Sequence, residues 1–206
     1  RQTQVRVTQR GIYMMRILYI FLCLLIMSPP LMADDMHDAE DIVKGKLDAV
    51  FTVLQKKELD QQAKKKEISE IVTPMFDFEL MAKLTLGRAH WPNLPREKKE
   101  KFIELYIKLL QTSYLEKLTL YTDEKVIFDP PVQVKEKVQI PTQLISKDRK
   151  TSILYKLYRP ANDWKVYDLE IQGVSVIRSY RSQFDEILQN GTIDDLLLKM
   201  EKPAGS

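Results

Sequence analysis

Apolar residues in the first part of the chain recur at helical spacing. Four of them follow one another as i, i+4, i+7 and i+11, which places them on one face of a helix: Val43, Leu47, Val50 and Leu54. The pattern predicts a helix from His37 to about Gln55. The next segment, KKELDQQAKKKEISEIV, mixes lysines with glutamates, which is more typical of a solvated helix face than of a membrane-binding surface.

Two further helices carry boundary signals. In TPMFDFELMAKLTLG, Asp77 fits an N-cap, and Phe76 and Met81 have the spacing of a hydrophobic staple around it. Gly87 fits the end of this helix. After the loop RAHWPNLP, Pro95 opens a longer helix, REKKEKFIELYIKLLQTSYLEKL. Its broad apolar stripe consists of Phe102, Leu105, Tyr106, Leu109, Leu110, Tyr114 and Leu118.

From Val126 the apolar period changes from helical to alternating. The segments KVIFDPPVQVKEKVQIPTQLI, TSILYKLYRP and DWKVYDLEIQG are rich in β-branched and aromatic residues and predict about four antiparallel strands. After Gly173 the helical period returns over Val174–Gln189, and Thr192 fits the N-cap of a short last helix, IDDLLLKM. Helices, then strands, then helices predict an α+β fold in which helices cover one antiparallel sheet.

The segment MMRILYIFLCLLIMSPPLMADD has the three parts of a secretory signal. Arg16 supplies the positive charge, Ile17 to Met27 form an apolar run of eleven residues, and Ala33 is a small residue at which we expect cleavage. An uncleaved anchor is the alternative, but a transmembrane helix needs about 20 apolar residues. We therefore predict that residues 1–33 comprise upstream residues and a signal peptide.

Charge and cysteine content narrow the possibilities. The chain has 32 Lys and Arg against 29 Asp and Glu. Four of the arginines lie in residues 1–33, so residues 34–206 carry 28 basic and 29 acidic side chains, a net charge of −1. We expect no nucleic-acid binding, because that requires a retained basic surface. Cys23 is the only cysteine, so the single domain predicted for residues 34–206 forms no disulfide.

The sequence offers little support for catalysis or metal binding. It contains no HExxH or GxSxG motif, no pair of cysteines, and no Walker or GxGxxG loop. We therefore expect no catalytic residue, no metal site and no cofactor. One alternative stays open, because Asp168 alternates with Trp164 and Val166. A carboxylate buried on that strand face would be able to act as a base.

Large aromatic side chains are frequent in the predicted helices and strands. Two interpretations are open: a well-filled core, or a sheet and helices that leave an apolar cavity between them. Composition alone does not separate these interpretations. The aromatic residues concerned are Phe51, Phe76, Phe78, Tyr106, Tyr114, Phe128, Tyr155, Tyr158, Trp164, Tyr167, Tyr180 and Phe184.

Three segments together resemble one protein family. They are FDFELMAKLTLG, HWPNLPREKKEKFIELYIKLLQTSYLEKL and WKVYDLEIQGVSVIRSYRSQFDEIL. In order and spacing they resemble the MlaC-type periplasmic phospholipid-binding proteins, also called the toluene-tolerance or ABC-transporter auxiliary family. The resemblance covers roughly Asp38 to Met200. One departure is Leu94, where the family often has a Ser or Thr cap before the proline of the long helix.

The resemblance implies a carrier in the Gram-negative periplasm with phospholipid as its cargo. It implies a curved antiparallel sheet covered by helices, with a deep apolar pocket for acyl chains. The implied partners are an outer-membrane lipoprotein–porin complex and an inner-membrane ABC transporter with an MCE-domain ring, and the implied role is maintenance of outer-membrane lipid asymmetry. We expect the mature chain to act as a monomer without a cofactor.

We predict that the pocket is lined by the inward stripe of the long helix and one alternating face of the strands. Two other functions remain as alternatives. One is a small-molecule enzyme on a similar cone-like α+β fold, with Asp168 as its base, and the other is a non-catalytic envelope adaptor with a filled core. The predicted lipid-binding residues are Phe78, Met81, Tyr106, Leu110, Tyr114, Phe128, Tyr155, Leu157, Trp164 and Val166.

Overall fold

The computed structural model describes residues 31–115, 125–146 and 149–202. The chain divides into two units, Arg1–Asp35 and Met36–Ser206, and everything described below belongs to the second unit except the first turn of one helix. The predicted signal sequence up to residue 30 and Leu118 lie outside the described residues. Cleavage near Ala33 therefore stays a prediction.

The described residues form six α-helices, six β-strands and short helical turns. The helices are α1 (Leu31–Gln55), α2 (Gln61–Val72), α3 (Phe78–His90), α4 (Arg96–Leu110), α5 (Val176–Asn190) and α6 (Ile193–Glu201). The strands are β1 (Lys125–Phe128), β2 (Val132–Val134), β3 (Lys137–Ser146), β4 (Arg149–Tyr158), β5 (Lys165–Ile171) and β6 (Val174–Ser175). Turns of 3₁₀ helix occupy Thr73–Met75 and Trp91–Asn93, and a π-turn, Gln111–Leu115, follows α4.

The strands form one open antiparallel sheet in the order β1-β3-β4-β5-β6, so the predicted α+β class is confirmed. The structure has six described strands rather than about four. Prolines at 130 and 131 interrupt the first predicted segment, since a proline cannot donate to the ladder. As a result β1 and β2 both pair with β3, one after the other along the same edge.

The predicted helix caps are present. The Asp77 side chain accepts a hydrogen bond from the Leu80 amide at 2.8 Å and opens α3. Thr192 opens α6 in a reciprocal capping box with Asp195. The helix after the sheet begins at Val176 rather than Val174, because residues 174–175 first pair with β5 as β6.

The core has two main parts, one among the helices and one between a helix and the sheet. One part packs α3, α4, α5 and α6 together and contains Phe102, which meets the ring of Phe184 edge-on at 5.7 Å. The other part packs the first half of α1 against the sheet, with Ala39 and Val43 fully buried. Between these two parts the sheet and the helices separate, and this separation forms the site described next.

Candidate functional site

A cavity of about 340 Å³ lies between one face of the sheet and the helices. This size is within the usual range for ligand pockets. None of the described residues that line it carries a formally charged side chain. The lining consists of Leu47, Val50, Phe51, Leu54, Val72, Thr73, Met75, Phe76, Phe78, Met81, Leu110, Gln111, Tyr114, Val126, Thr142, Leu144, Thr151, Ile153, Tyr155, Leu169, Ile171 and Val176.

The wall formed by the sheet follows directly from strand alternation. Residues that pair across neighbouring strands share a face, and every second residue of a strand returns to that face. Thr142 on β3 pairs with Ile153 on β4, which pairs with Ile171 on β5. A second row joins Val126, Leu144 and Thr151 across β1, β3 and β4 in the same way. These two rows give a continuous, mainly apolar surface.

The opposite wall comes from three helical segments. The second half of α1 contributes the apolar stripe that contains Leu47 and Leu54, and the end of α4 with its π-turn contributes Leu110, Gln111 and Tyr114. Between them lie Phe76 and Phe78, whose rings stack with their centroids 5.4 Å apart. The sequence FDF therefore places two aromatic rings in the cavity wall.

Asp77 holds this aromatic pair in place. Its backbone amide donates to the Val166 carbonyl at 2.9 Å, and its carboxylate caps α3 through the Leu80 amide at 2.8 Å. The Tyr158 hydroxyl donates a further hydrogen bond to the same carboxylate. Burial raises the pKa of Tyr158 to about 12, with the Asp77 hydrogen bond and charge adding to the effect. The phenol therefore stays protonated and remains a donor.

The two phenols of the lining are also neutral at physiological pH. Burial raises the pKa of Tyr155 to about 12. Burial likewise raises the pKa of Tyr114, and its interaction with Tyr180 acts in the same direction. A surface without charge favours an uncharged, largely apolar occupant, because a buried unpaired charge is costly.

Five of the ten predicted lining residues are in the cavity wall, and five are not. Phe78, Met81, Leu110, Tyr114 and Tyr155 line the cavity. The structure places Tyr106, Phe128, Leu157, Trp164 and Val166 outside the lining.

Packing explains why the second group lies outside. Tyr106 is fully buried in the helical core, where its ring stacks on Phe102 and its hydroxyl accepts a hydrogen bond from Thr85 at 3.0 Å. The remaining four belong to the cluster of the sheet with the first half of α1: Leu157, Trp164 and Val166 are buried in it, and Phe128 is packed against it. Leu157 and Val166 lie on the same sheet face as the cavity, at the end that α1 covers.

Several residues that line the cavity were not among the predicted lipid-binding residues, although the hydrophobic pattern that identifies them was visible in the sequence. The stripe of the first helix supplies Leu47, Val50 and Leu54. The strand alternation that includes Tyr155 also includes Ile153 and Thr151, two and four residues earlier. What the sequence did not show was which end of the strand face remains uncovered.

Asp168 is buried as expected, but it does not face the cavity. The β4–β5 register shifts so that Lys156 pairs with Asp168 while the next residue, Leu157, pairs with Val166. Consecutive residues of β4 point to opposite faces, so Asp168 and Val166 do too. The expectation that both share a face is therefore wrong, because Tyr167 has no partner on β4 and reverses the alternation.

The Asp168 carboxylate is fully engaged in structural contacts. It accepts hydrogen bonds from the Ser175 hydroxyl at 2.8 Å and the Ile177 amide at 3.3 Å, and it pairs with Lys156 at 3.3 Å. Burial works to lower the pKa of Lys156, but contacts with Glu170 and Asp168 outweigh it and the pKa is raised. These contacts fix the start of α5 against the sheet and leave the carboxylate without access to the cavity.

Two further features of the described residues bear on the kind of site. No helix among residues 31–115, 125–146 and 149–202 is long and apolar enough to cross a membrane. Within the same residues, no three His, Cys, Asp or Glu side chains come together as a metal-binding group. The cavity is thus the strongest candidate site in the described part of the chain.

Comparison with known proteins gives three consistent matches. The family model described as MlaC protein matches residues 44–202. The intermembrane phospholipid transport system binding protein MlaC of Haemophilus influenzae is 27% identical over 137 residues, and the match spans 64% of each chain, slightly under two thirds of the relative. The phospholipid-binding protein from Ralstonia solanacearum, solved in complex with a phospholipid, superposes with a TM-score of 0.72 at 21% identity, over 80% of this chain and 95% of that one. At that identity the superposition shows a shared fold.

Proposed function

Because this chain belongs to the MlaC protein family, we propose that it is a carrier that holds a phospholipid with its acyl chains in the cavity. The observation that carries the proposal is the lining, which is mainly apolar and without formal charge among its described residues. An acyl chain has no hydrogen-bonding groups, so it loses nothing when it leaves water for such a surface. The envelope adaptor with a filled core is disfavoured, because the described residues enclose a cavity.

The names of the similar proteins support the choice of cargo. The Haemophilus relative is named for intermembrane phospholipid transport, and the Ralstonia protein was solved with a phospholipid bound. The carrier function requires no catalytic group or cofactor. Among the described residues of the lining there is no carboxylate to act as the base of the enzyme alternative, and Asp168 is engaged elsewhere.

The proposal extends to the place of action. We propose that the mature chain works in the Gram-negative periplasm and carries phospholipid between an outer-membrane lipoprotein–porin complex and an inner-membrane MCE/ABC transporter. This role would serve to maintain outer-membrane lipid asymmetry. The signal-like segment in residues 1–33 and the intermembrane function in the name of the Haemophilus relative support it.

Native mass spectrometry of the purified mature protein tests the cargo directly. We expect the folded protein from a Gram-negative host to carry mass in addition to its polypeptide, and lipid extraction should identify that mass as phospholipid. Protein that is folded and free of lipid both as purified and after incubation with phospholipid vesicles would rule the carrier out.

A further inference from the structure

The polar groups on the helical wall of the cavity form a connected strip. The Gln111 side-chain amide donates to the Ser69 hydroxyl at 2.9 Å, and that hydroxyl lies 3.4 Å from the Thr73 hydroxyl. Gln111 and Thr73 both line the cavity. Resting on the proposed carrier function, we propose that this strip of Ser69, Thr73 and Gln111 binds the ester carbonyls of a glycerolipid.

The strip has donors left over after its internal bonds. A side-chain amide has two N–H groups, and the bond to Ser69 uses one of those of Gln111. The Ser69 oxygen keeps a second lone pair after accepting that bond, so either hydroxyl of the Ser69–Thr73 pair can donate to the other, and the one hydrogen of the pair that is left over is available to a ligand. Ester carbonyls are acceptors only, so they complement a surface that presents donors.

Two other polar groups of the lining already have partners. The Thr142 hydroxyl on the sheet wall donates to the Ile153 carbonyl at 3.0 Å. The Tyr114 phenol interacts with Tyr180, whose hydroxyl donates to Ser113 at 3.0 Å. The hydroxyls of Thr151 and Tyr155 lie on the sheet wall, whereas Thr73 and Gln111 belong to one hydrogen-bonded group on the helical wall.

The partial exposure of the strip suits the position of the esters in a lipid. Ser69, Thr73 and Gln111 are half-buried, whereas Met75 and Met81 beside them are buried. In a phospholipid the esters connect apolar chains to a charged headgroup. Chains lying among the buried residues would leave the esters near half-buried positions such as the strip, and the described residues of the lining offer no charge that would hold the phosphate inside the cavity.

A selectivity follows that does not depend on the headgroup. Two phospholipids with equal chains and headgroup, one a diester and one a diether, differ in the carbonyls that the strip would bind. One or two hydrogen bonds of ordinary strength favour the diester by about 3- to 10-fold. The apolar contacts of the chains are the same in both lipids.

The test is a competition between dipalmitoyl and dihexadecyl phosphatidylglycerol. Delipidated protein is incubated with vesicles that contain both lipids in equal amounts, and native mass spectrometry gives the ratio of diester to diether in the protein. The same ratio is measured for a Thr73→Val/Gln111→Met double variant and for the two single variants. Dividing the wild-type ratio by the variant ratio cancels the unequal stability of the two lipids in the bilayer.

We expect the diester-to-diether ratio of wild type to exceed that of the double variant by about 3- to 10-fold, and the ratio of each single variant to lie between these two. The matched control is Thr112→Val, an exposed threonine of the same π-turn that is not in the lining, and it should keep the wild-type ratio. Equal ratios in wild type and all variants would refute ester binding while leaving the carrier intact. Protein that takes up neither lipid would instead contradict the carrier function itself.

Discussion

At the scale of single residues, Asp77 shows how one side chain links local structure to the site. It stands between the two phenylalanines of the cavity wall and is itself held by three hydrogen bonds, from Leu80, from Tyr158 and to Val166. Its role as an N-cap was predictable, because the cap lies three residues from its partner. Its contact with Tyr158 was not, because 81 residues separate the two in sequence.

Replacing Asp77 tests this link. Asp77→Ala removes the cap and the acceptor of Tyr158, so we expect unfolding by denaturant to show a loss of about 2 kcal/mol. Lipid occupancy should fall as well, because the aromatic wall loses its anchor. Asp77→Asn is the control, since asparagine caps helices about as well as aspartate, and its loss should be clearly smaller. Equal losses for the two variants would show that capping does not matter here.

Leu110 tests the apolar character of the cavity. It is buried in the lining at the end of α4. Leu110→Glu would place a carboxylate among acyl chains, and the cost of desolvating it should lower lipid occupancy by at least about tenfold in native mass spectra. Lys108→Glu introduces the same group at an exposed position of α4 and should leave occupancy unchanged. A folded Leu110→Glu protein with full occupancy would mean that the cargo lies elsewhere.

At the scale of secondary-structure elements, the sequence predicted which face of a strand meets the helices better than it predicted how far along that face the helices reach. Strand alternation assigned Tyr155, Leu157 and Val166 to the face that meets the helices, and all three are buried there. It did not show that α1 covers Leu157 and Val166 and leaves Ile153 open, because the position of a helix along a sheet depends on packing of the whole layer. The register shift after Lys156 was equally invisible, since it depends on pairing between strands.

Helix α3 contains a break that the sequence indicated through Gly87. This residue has φ of +69°, and an arginine from α5, Arg181, donates a hydrogen bond to the carbonyl of Leu84 just before it. A helix interrupted at residue 87 loses the bond that the amide of residue 88 would make to that carbonyl. Arg181 therefore supplies the missing donor and ties α5 to α3.

Substitution by alanine separates the backbone role of Gly87 from any steric role. A Cβ there would lie 3.6 Å from the Arg181 Nε, an ordinary contact, so the cost of Gly87→Ala comes from the positive φ. We expect a loss of about 1–2 kcal/mol in thermal or denaturant unfolding. Gly45→Ala is the matched control: Gly45 lies within helix α1 with nothing within 4 Å of its Cβ position, so stability should rise by about 0.5–1 kcal/mol. A loss at both positions would point to a general effect of the added methyl group.

At the scale of the whole molecule, the energetics of burial determine how a cargo enters and leaves. Burying a chain is worth about 0.8 kcal/mol per CH₂. Two chains of about 16 carbons then contribute on the order of 25 kcal/mol before any discount for partial burial. Release into water would therefore be very slow. Transfer into another apolar site costs little, because the cavity and the receiving site are both dry. The burial free energy lost on leaving the cavity is nearly equal to that gained in the receiving site.

This balance predicts that the carrier needs a docking partner to exchange its lipid. The net charge of −1 on residues 34–206 suits short-lived contacts, since it gives no strong attraction to an anionic membrane surface. We expect purified protein to keep a labelled phospholipid in buffer and in the presence of bare liposomes. Liposomes that contain the reconstituted inner-membrane transporter should exchange it much faster, and liposomes with an unrelated ABC transporter serve as the control. Equal rates for bare and transporter-containing liposomes would instead describe a passive lipid-exchange protein, because an apolar route would then form at any membrane surface without a partner.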